Sequence, residues 1–268
     1  MVRLLFKHGV QVNLFGSFGS FQGTPLLLAA SNGMTELVSL LLVYGADPNL
    51  IPCPRASETP LLAAVIQGYE NILPLLIHGT SRVQRTRALA FAVEHGNRGM
   101  VEILLRGNTP PEFDLSEIPR STGWDYEDWV QPLLLAVLNK RLDLVGLLLD
   151  SGADVNVKCT EYPRGGLSKL FDRVLFWAVE DCHEEMVNLL LERGADPEIT
   201  DMMGRPALTF AVECEHRAVI RSLLDHGVNP HRAVDHSGKK LLLLGRMKQS
   251  IRDQLQVAEE RWECAGGC

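Results

Sequence analysis

The fold this chain predicts is an all-α solenoid of stacked helix-turn-helix units with long hairpin-type loops. Three observations carry that prediction. The grammar of Gly23 to Asn49, GTPLLLAASNGMTELVSLLLVYGADPN, recurs at least four more times downstream. Within it, Gly33 and Gly45 stop two short apolar segments, since glycine tolerates the left-handed conformation of a sharp reversal. The second segment, with Leu37, Val38, Leu40, Leu41 and Leu42, carries an apolar stripe too broad for one helix to bury alone.

Taken in order, Thr24 and Pro25 predict a helix start: a hydroxyl caps free N–H groups, and proline in the first turn costs no hydrogen bond. Leu26, Leu28, Ala29 and Ala30 form the inner face, and the alanines let a neighbouring helix approach. A second helix is predicted from about Thr35 to Tyr44, followed by an extended lead-out through Ala46, Asp47, Pro48 and Asn49. This stretch resembles the ankyrin repeat, whose pattern is TPLHLAA, a glycine, a Leu-rich second helix and GADVN. The frame predicts a single array over residues 1–268, with a partial N-terminal unit at 1–14 and units at 23–50, 58–80, 87–106, 131–157, 173–199 and 206–230. A charged C-terminal cap is expected at 238–262.

The departures from the pattern are as informative as the matches. Met1 to Asn13 supplies only the second half of a unit, which reads either as an improvised cap or, since terminal units normally show a polar outer face, as part of a longer array. Leu14 to Gln22 reads as a mobile finger, and Leu50 to Ser57 as an extended linker set by Pro52 and Pro54. Pro74 inside a second helix predicts a kink. Leu147 is expected in the core of its unit's second helix. The histidine of TPLH is replaced in every unit, by Leu27, Leu62, Ala90, Leu134, Phe176 and Thr209, which implies joins that rely on apolar packing. Between Gly107 and Val130 the chain is about eleven residues longer than the family period, and a second insertion falls in Val157 to Asp172.

Two stretches are candidate contact sites. Trp124, Asp125, Tyr126 and Trp129 set large aromatics among acids, the composition of a partner-binding anchor, although the aromatics would equally serve to cover neighbouring helices. Arg82, Arg85 and Arg87 lie close together and would suit an anionic partner, or form an ordinary solvated rim. Asp181-Cys182-His183 and Glu213-Cys214-Glu215-His216 hold zinc-type ligand residues, but equivalent positions of stacked helices sit about 8 to 10 Å apart, too far for shared ligation at about 2 Å. A structural role is the reading for both histidines.

The formal charge of −7 excludes wholesale attraction to nucleic acid or anionic membrane. Six cysteines lack zinc-type or disulfide-framework spacing. Phosphate-binding loops of the GxxxxGK[ST] or GxGxxG type are missing. No cofactor, metal or catalytic residue is therefore expected, and an intracellular, soluble monomer in cytoplasm or nucleus is. The resemblance implies a non-catalytic protein-binding module, a regulatory scaffold or transcription coregulator. The alternatives are a substrate-recruiting part of a larger multi-domain protein, or a metal-dependent enzyme working through the Cys/His turns.

Overall fold

The computed structural model of the chain describes residues 11–18, 21–50, 58–111, 131–158, 173–201, 203–234 and 248–264. Its internal contacts divide it into two compact units, Met1–Leu135 with Ser151–Ala153, and Ala136–Asp150 with Asp154–Cys268.

In the first unit, β1 (Gly16–Phe18) and β2 (Phe21–Gly23) pair antiparallel, with Gly16 opposite Gly23 and Phe18 opposite Phe21. The stretch expected to be a mobile finger is thus built on a short ladder, in which backbone groups satisfy one another. Helices α1 (Pro25–Ser31) and α2 (Thr35–Val43) follow. The Leu27 N–H donates to Thr24 Oγ1 at 3.2 Å, and Pro25 sits in the first turn, as the chemistry of that start requires. In α3 (Pro60–Gln67), Thr59 Oγ1 accepts from the Leu62 N–H at 3.3 Å in the same way.

Pro74 splits the next helix instead of merely bending it. A 3-10 turn at Glu70–Ile72 leads into α4 (Leu73–Ile77), and Pro74 falls in the first turn of α4, where its lacking donor costs nothing. The helices α5 (Arg82–Glu94) and α6 (Arg98–Arg106) complete the described part of this unit. Residues 82–86, which fall between the units expected at 58–80 and 87–106, form the first turns of α5. Successive first helices α1, α3 and α5 pack side by side, and α4 packs against α6. Close approach is possible because Ala29, Ala30, Ala63, Ala64, Ala88 and Ala92 are all buried at these contacts.

Helix α7 (Pro132–Leu138) spans the division between the units. The second unit then contains α8 (Leu142–Asp150), α9 (Val174–Glu180), α10 (Glu184–Glu192), α11 (Ala207–Glu213), α12 (Arg217–Asp225) and α13 (Gln249–Cys264). First helices α9 and α11 pack together, as do second helices α8 with α10 and α10 with α12. Leu147 is a correction to the sequence reading: it is half-buried, while Leu144, Val145 and Leu148 are fully buried. A helix 3.6 residues per turn places 144, 145 and 148 on one face and rotates 147 toward its edge. The residues that replace the TPLH histidine, Leu27, Leu62, Ala90, Leu134, Phe176 and Thr209, are all buried, and Thr209 Oγ1 donates to the Arg232 carbonyl at 3.2 Å.

Candidate interaction surface

The lead-out residues decide how each repeat is joined to the next, and so how the exposed surface is held. Asp47, Asp154, Asp196 and Asn229 each accept, through a side-chain oxygen, from the backbone N–H two residues on, at 2.8 to 2.9 Å. These Asx turns aim the residue at the next repeat. Asn49 donates to the Gly79 carbonyl at 2.9 Å and accepts from the Ser81 N–H at 2.7 Å. Asn156 does the same with Gly194 at 3.1 Å and Asp196 at 2.9 Å, and Asn13 with Gly45 at 3.2 Å and Asp47 at 2.9 Å. An amide is suited to this work because it donates and accepts from one planar group.

At two of the described joins another residue takes the place of that asparagine. Where Asn would stand in the fifth lead-out, Glu198 accepts from the Asn229 N–H at 3.0 Å and takes Arg232 Nη1 at 2.6 Å. A carboxylate cannot donate, so the arginine supplies the second contact. After the repeat ending at His78, Gly79 and Thr80, Arg85 on α5 donates through Nη1 to the Gly107 carbonyl at 3.2 Å and the Asn108 carbonyl at 3.0 Å, beyond the end of α6.

The arginine patch is corrected by this geometry. Arg85 is spent on a join inside the fold, and Arg87 is only 6% exposed, so neither belongs to a free basic surface. Arg82 is exposed. Trp124, Asp125, Tyr126 and Trp129 lie outside the described residues.

In the second unit, a finger and a first helix form one connected surface. Thr200 and Pro206 bridge the base of the finger, and Asp201 Oδ1 accepts from the N–H groups of Met203 and Arg205, both at 2.8 Å. The Arg205 guanidinium reaches Asp201 Oδ2 at 2.9 Å and Glu213 Oε2 at 2.8 Å, and lies 5.4 Å from the centre of the Phe210 ring. The acids and the ring hold the cation beside α11, which fixes the finger on its helix. Met203 stands at the tip, 65% exposed. Phe210 is half-buried beside it. Sequence reading named Glu213 only among the zinc-type ligand residues and did not connect it with Arg205; an Arg eight residues before a Glu, straddling a helix start, is no recognisable motif.

The Cys/His turns serve the helices beside them. The Met186 N–H donates to His183 Nδ1 at 3.3 Å, capping α10, so that nitrogen is bare. His216 Nδ1 lies 2.8 Å from the Val179 carbonyl of the preceding repeat and must carry the proton, since a carbonyl only accepts. Equivalent histidines thus take opposite tautomers, one local and one bridging repeats. Cys182 and Cys214 are exposed. Burial and the neighbouring Glu213 and Glu180 push the Cys214 thiol up, which disfavours a reactive thiolate. Among the described residues no helix is long and apolar enough to cross a membrane.

Comparison with known proteins agrees with this architecture. The family model for ankyrin repeats matches residues 26–114 and 133–234. A rice (Oryza sativa subsp. japonica) protein described as a probable E3 ubiquitin-protein ligase, XBOS32, is 29% identical over 178 residues, covering 57% of this chain and 35% of its own length. The ankyrin repeat and KH domain-containing protein mask-1 of Caenorhabditis elegans is 27% identical over 200 residues, covering 74% of this chain and 7% of its own. The chain therefore spans only a minor part of either relative. The solved ankyrin repeat domain of Bcl-3, described as a unique member of the IkappaB protein family, superposes with a TM-score of 0.66 at 25% identity, over 87% of this chain and 98% of that one. The chain belongs to the ankyrin repeat family.

Proposed function

We propose that this chain is a regulatory scaffold that grips another protein on its fingers and first helices, in the manner of a transcription coregulator. Ankyrin repeats are protein-protein interaction modules, and that much holds for this chain through its family. The observation carrying the finer reading is the surface built by Met203, Arg205, Phe210 and Glu213: an exposed apolar tip is held on a rigid helix by a buried carboxylate. Preorganisation of that kind lowers the ordering cost of binding. The likeness to an IkappaB-family domain supports the regulatory specialisation. Trp124, Asp125, Tyr126 and Trp129, with Arg82, are proposed as further anchors.

The test is affinity capture from cell extract, read by tandem mass spectrometry, with two variants beside the wild type. Met203→Asp with Phe210→Ala addresses the finger, and Trp124, Tyr126 and Trp129 changed together to Ala address the insertion. Loss of one reproducible partner in either variant, at unchanged fold by circular dichroism, supports the reading. An identical partner set in all three proteins overturns it. A second reading, recruitment of substrate to a larger protein, is favoured by the ubiquitin-ligase relative, of which this chain matches 35%.

A further inference from the structure

Among the described residues, the C-terminal helix is packed through one face and carries an exposed apolar residue, Val257, on another. Ile251 and Leu255 are fully buried and fix α13 on the second unit. Lys248, just before α13, pairs with Glu215, just before α12. His231, after α12, meets Glu259 at 3.2 Å and Glu263 at 3.9 Å. Start lies by start and end by end, so α12 and α13 run parallel. Between them runs a groove of about 650 Å³ with Leu224, Val228, Val257 and Trp262 in its walls. Val257 is 45% exposed there.

The charged residues on the α13 side of this groove are Asp253 and Arg261. They stand four residues before and four residues after Val257. Arg261 makes no ion pair among the described residues, and Asp253 accepts only the Gln249 amide, at 2.7 Å. An acid and a base equidistant from an exposed apolar residue form a pattern that is its own complement under a two-fold axis. In an antiparallel pairing centred on Val257, each Asp253 meets the other copy's Arg261, and Val257 meets Val257. The same operation brings Ser250, seven residues before the centre, beside Cys264, seven residues after it.

We propose that the groove between α12 and α13 is filled by α13 of a second copy of this chain, laid antiparallel about Val257. The inference does not rest on the proposed function, since it concerns another face. It replaces the monomer expected from sequence. The contact is a charge-registered helix pair: the apolar groove gives affinity, and the two symmetric Asp253 to Arg261 pairs fix direction and register.

Sedimentation velocity over a concentration series tests it. The wild type is expected to pass from monomer to dimer in the micromolar range, as small interfaces do. Asp253→Arg or Arg261→Asp alone sets like charges face to face twice per dimer and is expected to weaken association at least tenfold. The double variant Asp253→Arg with Arg261→Asp restores both pairs and is expected to restore association. Ser250→Cys is expected to form a disulfide with the native Cys264 under mild oxidation, giving a reducible dimer. Within one chain those residues are about 21 Å apart along the helix, out of disulfide range, so a peptide linking position 250 to Cys264 is intermolecular. A wild type that stays monomeric to about 100 μM, a double variant no better than the singles, or cross-linking only through other cysteines overturns the proposal.

Discussion

The two units solve the same turn in different ways. Between the paired helices of each repeat, the chain must pass through a left-handed residue. In the first unit that residue is glycine each time: Gly33, Gly68 and Gly96, with φ of 72°, 84° and 67°. In the second unit the equivalent positions are Lys140, Cys182 and Glu215, with φ of 56°, 53° and 58°. A side chain in that region costs about 1 to 2 kcal/mol. The second unit therefore holds three strained turns where the first holds relaxed ones. The difference teaches that the packed helix pair dictates the turn, whatever residue occupies it. The buried faces on either side, such as Val179, Val187 and Leu190 around Cys182, outweigh the local cost.

The predictions set region against region. The largest effect is expected in the core of α8, where Leu148→Asp buries a charge and loses about 4 kcal/mol or more, while Leu147→Asp, at the helix edge, loses about 1 to 2. Urea denaturation of both variants separates a buried face from a shared one; equal losses would put Leu147 back in the core.

Next come the joins. Asn156→Ala removes one donor and one acceptor to the following repeat and is expected to cost about 1 to 2 kcal/mol. Arg85→Ala is expected to match it, because one guanidinium nitrogen serves two carbonyls, and Arg85→Lys is expected to recover only part of the loss. An Arg85→Ala protein as stable as wild type would mean that the irregular join is held by packing alone.

The turns themselves give about 1 kcal/mol. Cys182→Gly and Glu215→Gly are expected to stabilise the second unit by that amount. Gly68→Ala, whose added Cβ meets nothing within 4 Å, is expected to destabilise the first by as much. Gly33→Ala is expected to cost more, because its Cβ would lie 2.8 Å from the Tyr69 ring. Thermal melts showing no gain from either glycine would sink the comparison.

The smallest effect concerns charge. Burial, and then Asp181, push the Glu180 carboxyl above the usual carboxylate range. As pH rises the unfolded chain ionises first, so the folded state loses ground between the ordinary and the raised value. Above that window the penalty is complete, and below it the penalty is absent. Glu180→Gln is therefore expected to stabilise by a few tenths of a kcal/mol near neutral pH, after solvent screening, and by nothing in acid. A gain that persists at low pH would point to packing instead.

Much of the fold was legible because its signals are local. The Thr24 and Thr59 caps, the prolines at helix starts and the apolar stripes are read within one turn of backbone. The start of α5 was misplaced because the repeat frame begins at Arg87, and Ser81, which stands at the cap position, makes no side-chain capping bond. At the candidate surface the limit is different in kind. Asp is a common turn residue, but the bond of Asp201 to Arg205, and the bond of Arg205 to Glu213, join positions that no periodicity relates. Arg85 looked like a surface base because sequence does not display the carbonyls of Gly107 and Asn108 that it meets.

By itself the sequence determined the repeat, the helix pairs and the family, since capping, glycine stops and apolar spacing act over a few residues. Tertiary structure decided which residues close the described joins, that Lys140, Cys182 and Glu215 adopt a glycine's conformation, and that α13 buries Ile251 and Leu255 while Val257 is exposed. Those outcomes depend on groups brought together from distant positions, and their energies arise only when the helices have packed.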